Sequence, residues 1–324
     1  MYNVILCRGM HEAGRSLLEA RSDIRLLTLE PPAEPQLETA IADAHAVFLW
    51  LEPITEALLK KAPKLKMVSR YGVGYDTIDI AACTRRGVAV GVANGSNDLS
   101  VAEHALMLML AVARNTVVYD GRVRAGGWRG PGAPVMGELA GRSVLVVGYG
   151  RIGTRVAKLC AAFGMRVMVH DPNFPTPRIA ADGHIPAPDL RAALREADVL
   201  TLHCPLLAET RGMINAETIG LMKQGGWLIN TARGPIVDQK ALCDALVSGH
   251  LAGAGLDVID QEPPDPSDPI LKAPNVTLAP HNAAQPVESL AKMARRAAQN
   301  ILDVFDGTAD PGFFVNPEVF RRNG

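Results

Sequence analysis

The sequence is poor in the features that mark several classes of protein. Its five cysteines (Cys7, Cys83, Cys160, Cys204 and Cys243) are odd in number, scattered and without Cys-x-x-Cys spacing. That argues against a disulfide framework or a zinc site and fits a reducing cytoplasm. Neither sign of charge is in excess: a formal net charge of -1 gives no reason to expect nucleic acid or an anionic membrane as partner. Long apolar runs are missing too. The most apolar helical stretch, "VAEHALMLMLAVA", has 13 residues and carries Glu103 and His104, whereas a bilayer span needs about 20. The opening "MYNVILCRGMHEAG" lacks the basic lead and long apolar run of a signal peptide. Repeats, low-complexity segments and metal-ligand clusters are likewise missing. These absences predict a soluble, cytoplasmic protein that works without a metal.

What is there is an ordinary globular composition, 48% apolar and 21% charged, over 324 residues, enough for two domains of roughly 150 residues each. Short apolar runs alternate with helical patterns almost from end to end, the signature of parallel sheets covered by helices. "NVILC", "IRLLTL", "AVFLWL" and "LKMVSRYG" read as a first strand series, with a helix over 12–21 among its connections. One long helix is expected over about 100–124. A second series follows: "SVLVVG", "RVMVHD", "VLTLH", "GWLINT", "LAGAGLDV" and "VTLAP". Its six strands are the number expected of a complete dinucleotide-binding sheet. A last helix over about 287–305 is left over and is free to return to the first unit.

"SVLVVGYGRIGTRVAKLCAAFGMRVMVHDP" carries the most specific local signal. Gly148, Gly150 and Gly153 directly follow an apolar strand and open a helix with apolar Ile152, Val156 and Leu159. In that context Gly148 permits a tight turn, Gly150 lets the backbone approach a pyrophosphate, and Gly153 lets helix and strand pack closely. The helix N-terminus adds N–H donors and partial positive charge. Asp171 ends the next strand, 18 residues after Gly153, where a carboxylate accepts ribose hydroxyls and repels a 2′-phosphate. No basic residue follows until Arg178, so NAD is favoured over NADP.

Ligands of an open α/β sheet bind beyond the carboxyl ends of its strands. Four polar segments fall there: "HCP" (203–205), "NTARG" (230–234), "LDV" (256–258) and "APH" (279–281). Arg233 is either a solvated turn residue or a clamp that grips a carboxylate through two parallel hydrogen bonds. Glu262 and His281, 19 residues apart, flank the strand "VTLAP". If the loop between them folds back, the glutamate accepts one imidazole N–H and favours the protonated ring, leaving the other nitrogen to donate a proton near neutral pH. Spacing alone leaves that contact open.

Taken together, "RYGVGYDTID" (70–79), "SVAEHALMLMLAVAR" (100–114), "GELAGRSVLVVGYGRIG" (137–153), "LHCPLLAETRGMIN" (202–215), "LINTARGPIVDQKAL" (228–242), "GLDVIDQEPP" (255–264) and "LAPH" (278–281) resemble the D-isomer-specific 2-hydroxyacid dehydrogenases over nearly the whole chain. The resemblance implies two Rossmann-like doubly wound domains with the active site in their cleft. A flavodoxin-like substrate domain would take residues 1–99 and 288–324, and an NAD-binding domain residues 100–287. It makes Arg233 the substrate-gripping arginine, Glu262 the histidine-tuning acid and His281 the acid/base. It gives the substrate carboxylate to the backbone of Gly72, Val73 and Gly74. Along the cofactor it aligns Arg151, Ile152, His203, Cys204, Pro205, Thr210 and Thr231, with Asp257 near the nicotinamide carboxamide. The implied reaction is hydride transfer between NADH and a 2-oxo acid, giving a D-2-hydroxy acid, by a homodimer built largely through the cofactor domain.

Two departures bear on substrate. Phosphoglycerate dehydrogenases typically carry an Arg-Ser pair after the third strand, where this chain reads Trp50-Leu51. Loss of that arginine speaks against a phosphorylated substrate and for an uncharged side chain, from glyoxylate or hydroxypyruvate to a longer apolar 2-oxo acid, unless Trp50 is a core residue pointing away. Asn94 and the run "NAAQPVES" after His281 also depart from common patterns, and nothing functional is attached to them. A different class remains open: a non-catalytic NAD(H)-sensing regulator of the same fold, as among corepressors. Formate dehydrogenases pair glutamine with their histidine, so Glu262 speaks against that activity.

Overall fold

Buried apolar runs and the helices between them form two separate parallel sheets. The computed structural model describes residues 1–31 and 33–323, with side chains through Arg321. The chain divides into two compact units, Met1–Asn97 with the segment from Ala284 onward, and Asp98–Ala283.

In the first unit β1 (Tyr2–Leu6), β2 (Ile24–Thr28), β3 (Ala46–Leu49), β4 (Met67–Arg70) and β5 (Ala89–Gly91) lie in the order β2-β1-β3-β4-β5, all parallel. The inner strands β3 and β4 are buried along their whole length, which is why they read as unbroken rather than alternating apolar runs. The edge strand β2 alternates half-buried with exposed residues. The helix Val287–Asp306 packs against the helix Glu12–Glu19 of this same unit. Their approach requires Gly14, where a Cβ would lie 2.3 Å from the Ala294 carbonyl oxygen. Strand β5 is not among the expected strands. It has three residues, and its Val90 N–H is satisfied by the buried Asn316 side chain at 2.8 Å.

In the second unit β6 (Ser143–Val147), β7 (Arg166–His170), β8 (Ile185–Pro186), β9 (Val199–Leu202), β10 (Gly226–Asn230), β11 (Leu251–Leu256) and β12 (Val276–Leu278) lie in the order β12-β11-β10-β9-β6-β7-β8. The six expected strands are present, and β8 adds a two-residue edge where a proline is tolerated. Both units are doubly wound α/β sheets. In the second, the order reverses between β6 and β9, and their carboxyl ends are where such a sheet binds ligands.

The single helix expected over 100–124 is two helices, Asp98–Ala113 and Thr116–Arg124, bent by 61°. Asn115 breaks it with φ +50°, a left-handed conformation that asparagine adopts more readily than most residues, and its amide donates to the Val135 carbonyl at 2.9 Å. Among the described residues no single helix is long and apolar enough to cross a membrane.

Candidate functional site

The turn after β6 is built by sterics. Gly148 has φ +91°, and a Cβ there would sit 2.6 Å from the Cys204 amide nitrogen. At Gly153 a Cβ would lie 1.9 Å from the Gly148 carbonyl oxygen, so helix and turn meet only without a side chain. Gly150 is different: nothing lies within 4 Å of its would-be Cβ. It caps the helix Arg151–Ala162, whose first turn has no side-chain cap. An open glycine at an uncapped helix N-terminus is a cradle for an anion. Arg151 is exposed on that first turn, and Ile152 packs against the core beneath it.

Asp171 follows β7. Its Oδ2 accepts the Tyr149 N–H at 2.7 Å and its Oδ1 the Asn173 N–H at 2.9 Å, so the carboxylate braces the glycine turn. Each oxygen can accept further bonds. Beyond β9, burial pushes His203 down to about 3, so the ring is neutral, with Nε2 2.8 Å from Thr201 Oγ1 and Nδ1 3.4 Å from Thr231 Oγ1. Burial pushes the Cys204 thiol up to about 11, so it is no thiolate. Thr210 closes the following turn, donating to the Pro205 carbonyl at 2.7 Å and accepting the Leu207 N–H at 2.8 Å.

The ends of β10, β11 and β12 hold the remaining candidates of this unit. Glu262 folds back: its Oε2 is 2.7 Å from His281 Nδ1, and its Oε1 accepts the Ile259 N–H at 3.3 Å. The parallel register Leu256↔Leu278 brings the two segments side by side. His281 has φ +52° and is held there by Asp257, whose carbonyl accepts the His281 N–H at 2.8 Å. The Asp257 carboxylate, 2% exposed with its residue, accepts the N–H groups of Asn282 at 2.8 Å and Ala283 at 3.1 Å. Arg233 donates from Nη1 to the Ala232 carbonyl at 2.7 Å. Its neighbour Gly234 lets the turn touch the 257–262 segment, since a Cβ would fall 1.8 Å from the Ile259 carbonyl oxygen. Arg233, Glu262 and His281 thus lie on adjoining strand ends of one sheet.

Sequence reasoning passed over two residues here. Asn230, 1% exposed, shapes the arginine turn by accepting the Ala232 N–H at 2.9 Å and donating to the Arg233 carbonyl at 2.9 Å. Its signal was a polar residue ending a fully apolar strand. His104, from the apolar helix, places Nε2 3.4 Å from Asp257 Oδ1.

In the first unit Gly72 has φ +147°, and Arg70 fastens the turn 71–74 from within, donating Nε to the Gly74 carbonyl at 2.9 Å and Nη1 to the Tyr71 carbonyl. Val73 and Gly74 are half-buried on that turn. Trp50 packs its ring on Tyr71, centroids 4.9 Å apart, while Leu51 is 44% exposed. A depression of about 240 Å³ in the second unit, lined by Asn115, Trp227, Ala252 and Asn275 among others, opens at the amino ends of β10–β12, opposite the carboxyl ends that carry Arg233, Asp257 and His281.

Known proteins share the fold of this chain. The family described as "D-isomer specific 2-hydroxyacid dehydrogenase, NAD binding domain" matches residues 106–283. A glyoxylate reductase of Korarchaeum cryptofilum is 38% identical over 323 residues, 98% of this chain and 97% of that protein. A D-3-phosphoglycerate dehydrogenase of Archaeoglobus fulgidus is 41% identical over 251 residues, 77% of this chain but 47% of that one. The structure of a D-lactate dehydrogenase from Aquifex aeolicus, complexed with NAD and lactic acid, superposes with a TM-score of 0.87 at 30% identity, covering 97% of this chain and 99% of that chain.

Proposed function

The chain belongs to the D-isomer-specific 2-hydroxyacid dehydrogenase family, and we propose that within it the protein is an NADH-linked reductase of small, unphosphorylated 2-oxo acids. It is an NAD-binding oxidoreductase that interconverts 2-oxo and 2-hydroxy acids. The observation that carries the finer reading is the 2.7 Å bond between Glu262 and His281 at the strand ends of a dinucleotide-binding sheet.

NADH, when bound, supplies the hydride that reduces C2 of the 2-oxo acid. The open Gly150 and the uncapped helix at Arg151 fit its pyrophosphate, and Asp171 fits the ribose hydroxyls and turns away a 2′-phosphate. Glu262 orients the imidazole through Nδ1, so that Nε2 of His281 gives its proton to the carbonyl oxygen and takes it back in the reverse direction. Arg233 holds the carboxylate and polarises the carbonyl, acting on charge that develops in the transition state. The turn 72–74, fastened by Arg70, offers the carboxylate the N–H groups of Val73 and Gly74, while that of Gly72 already donates to the Arg70 carbonyl at 2.9 Å. Trp50-Leu51, with no arginine, fits a substrate without phosphate.

We also assign the protein to the cytoplasm as a homodimer. The support is five free thiols and the exposed apolar side chains of Val117, Val118, Val123, Trp128, Val135 and Met136 in the second unit. Sedimentation at micromolar concentration should show a dimer. The catalytic reading is tested by following nicotinamide absorbance with purified protein, NADH and a panel of 2-oxo acids, with His281→Ala and Arg233→Ala alongside. Reduction of glyoxylate or a close homologue, lost in both variants, is expected. No turnover of any acid in the panel would overturn the reading.

A further inference from the structure

The sheet of the first unit also reverses its order, between the neighbouring strands β1 and β3. Cys7 still donates to the Phe48 carbonyl at 2.9 Å, so the two strands run together to their carboxyl ends, where Arg8 and Trp50 emerge. Glu52, 2% exposed, ties these ends together. Its Oε1 accepts Arg8 Nε at 3.0 Å, and its Oε2 accepts the backbone N–H groups of Trp50 at 2.7 Å and Leu51 at 3.1 Å. A buried carboxylate is costly unless its oxygens are occupied in this way. The consequence is a guanidinium fixed at the end of β3. The Arg8 side chain is nevertheless 48% exposed, and among the described residues Nη1 and Nη2 have no partner. A ligand crevice at a switch point is the general rule for such sheets, and β4, which leads into the turn 72–74, lies next to β3 at a strand spacing of about 4.8 Å.

We propose that Arg8 is a specificity-determining residue: it donates hydrogen bonds to an uncharged acceptor on C3 of the 2-oxo acid, such as the hydroxyl of hydroxypyruvate. This rests on the reductase reading above, in which the turn 72–74 receives the carboxylate. Glu52 already answers the charge of Arg8, so the pair offers N–H donors with little net charge. That balance favours a hydroxyl over a second carboxylate or a phosphate.

Glyoxylate has no C3 and serves as the internal control. The full chain, Arg8→Lys, and the double variant Arg8→Met with Glu52→Gln are compared by kcat/KM for glyoxylate and hydroxypyruvate with NADH. Lysine keeps the ion pair and removes the spare fork. The double variant removes the fork without leaving a bare buried charge. Loss of a hydrogen bond that a site was built to make should lower kcat/KM for hydroxypyruvate about tenfold or more in both variants. Glyoxylate should stay within about twofold. Equal losses on the two acids, or none on hydroxypyruvate, would overturn the role of Arg8 and leave the reductase standing. Parent protein that reduces glyoxylate but not hydroxypyruvate would overturn it as well. A parent that reduces neither defeats the reductase reading itself.

Discussion

Replacing Glu262 with glutamine keeps the size of the side chain and removes its charge, which isolates what the carboxylate does for His281. The contact is 2.7 Å from Oε2 to Nδ1. The histidine backbone is held separately, by the Asp257 carbonyl at 2.8 Å, and the next two amides by the Asp257 carboxylate. The variant should therefore leave the imidazole in place and weaken only the hydrogen bond that orients it. A hydrogen bond to a charged group contributes about 1.5–3 kcal/mol. Here the side chains are 28% and 33% exposed, so solvent screens the pair and the lower figure applies. About 1.5 kcal/mol corresponds to roughly tenfold in rate. Turnover of glyoxylate at neutral pH should fall by about that factor, while the Kd for NADH, read from nicotinamide fluorescence, stays within about twofold. Glu262→Ala, which leaves Nδ1 without an acceptor, should lose more, toward the hundredfold end of about 3 kcal/mol. Turnover of the glutamine variant within twofold of the parent would show that the carboxylate does not tune His281.

Three further outcomes follow from the cofactor half of the site. Gly150→Ala meets no atom within 4 Å, so the thermal midpoint should hold while the NADH Kd rises about tenfold as the methyl fills the cradle; an unchanged Kd would place the pyrophosphate elsewhere. Asp171→Ser removes the charge that repels a 2′-phosphate, so the ratio of kcat/KM for NADPH over NADH should rise by about tenfold or more, and a ratio that does not move refutes the role given to Asp171. His203 is pushed down to about 3 by burial, so the folded protein keeps it neutral while the unfolded chain protonates it below about 6.5. The unfolded state then binds the extra proton, and this contribution to stability is complete above about pH 6.5 and lost on acidification, at up to about 1.4 kcal/mol per pH unit. Urea unfolding of His203→Gln between about pH 6 and pH 4 should show a shallower slope than the parent, and parallel slopes would refute the assignment.

The parts of the site that were legible in the sequence are those whose physics is local. Gly148 and Gly153 must be glycine because of atoms within a few residues or on the next strand end, and a strand-turn-helix pattern announces that need. Strands β5 and β8, at three and two residues, are too short to show a period, and tertiary hydrogen bonds rather than propensity hold them. The break at Asn115 carried only a weak signal, an asparagine in an otherwise helical run, and its cause, a bond to Val135 twenty residues on, is not a property of the segment. The Arg8–Glu52 pair was invisible because it spans 44 residues and depends on β1 and β3 being neighbours.

Asp257 shows where residue type and place stop being enough. An acid at the carboxyl end of a strand in a dinucleotide-binding sheet reads as a cofactor contact, and Asp257 stands directly after β11. Its bonds point elsewhere as well: both carboxylate oxygens take backbone N–H groups of the turn 281–283, and its carbonyl takes the N–H of His281 itself. A non-glycine residue at φ +52° is strained unless its surroundings fix it, and Asp257 makes every one of those three bonds. The backbone of His281 is therefore set from β11 and its ring from Glu262, two anchors on one segment. The polar loop between β11 and β12 brings together a pair that the 19-residue spacing only permitted.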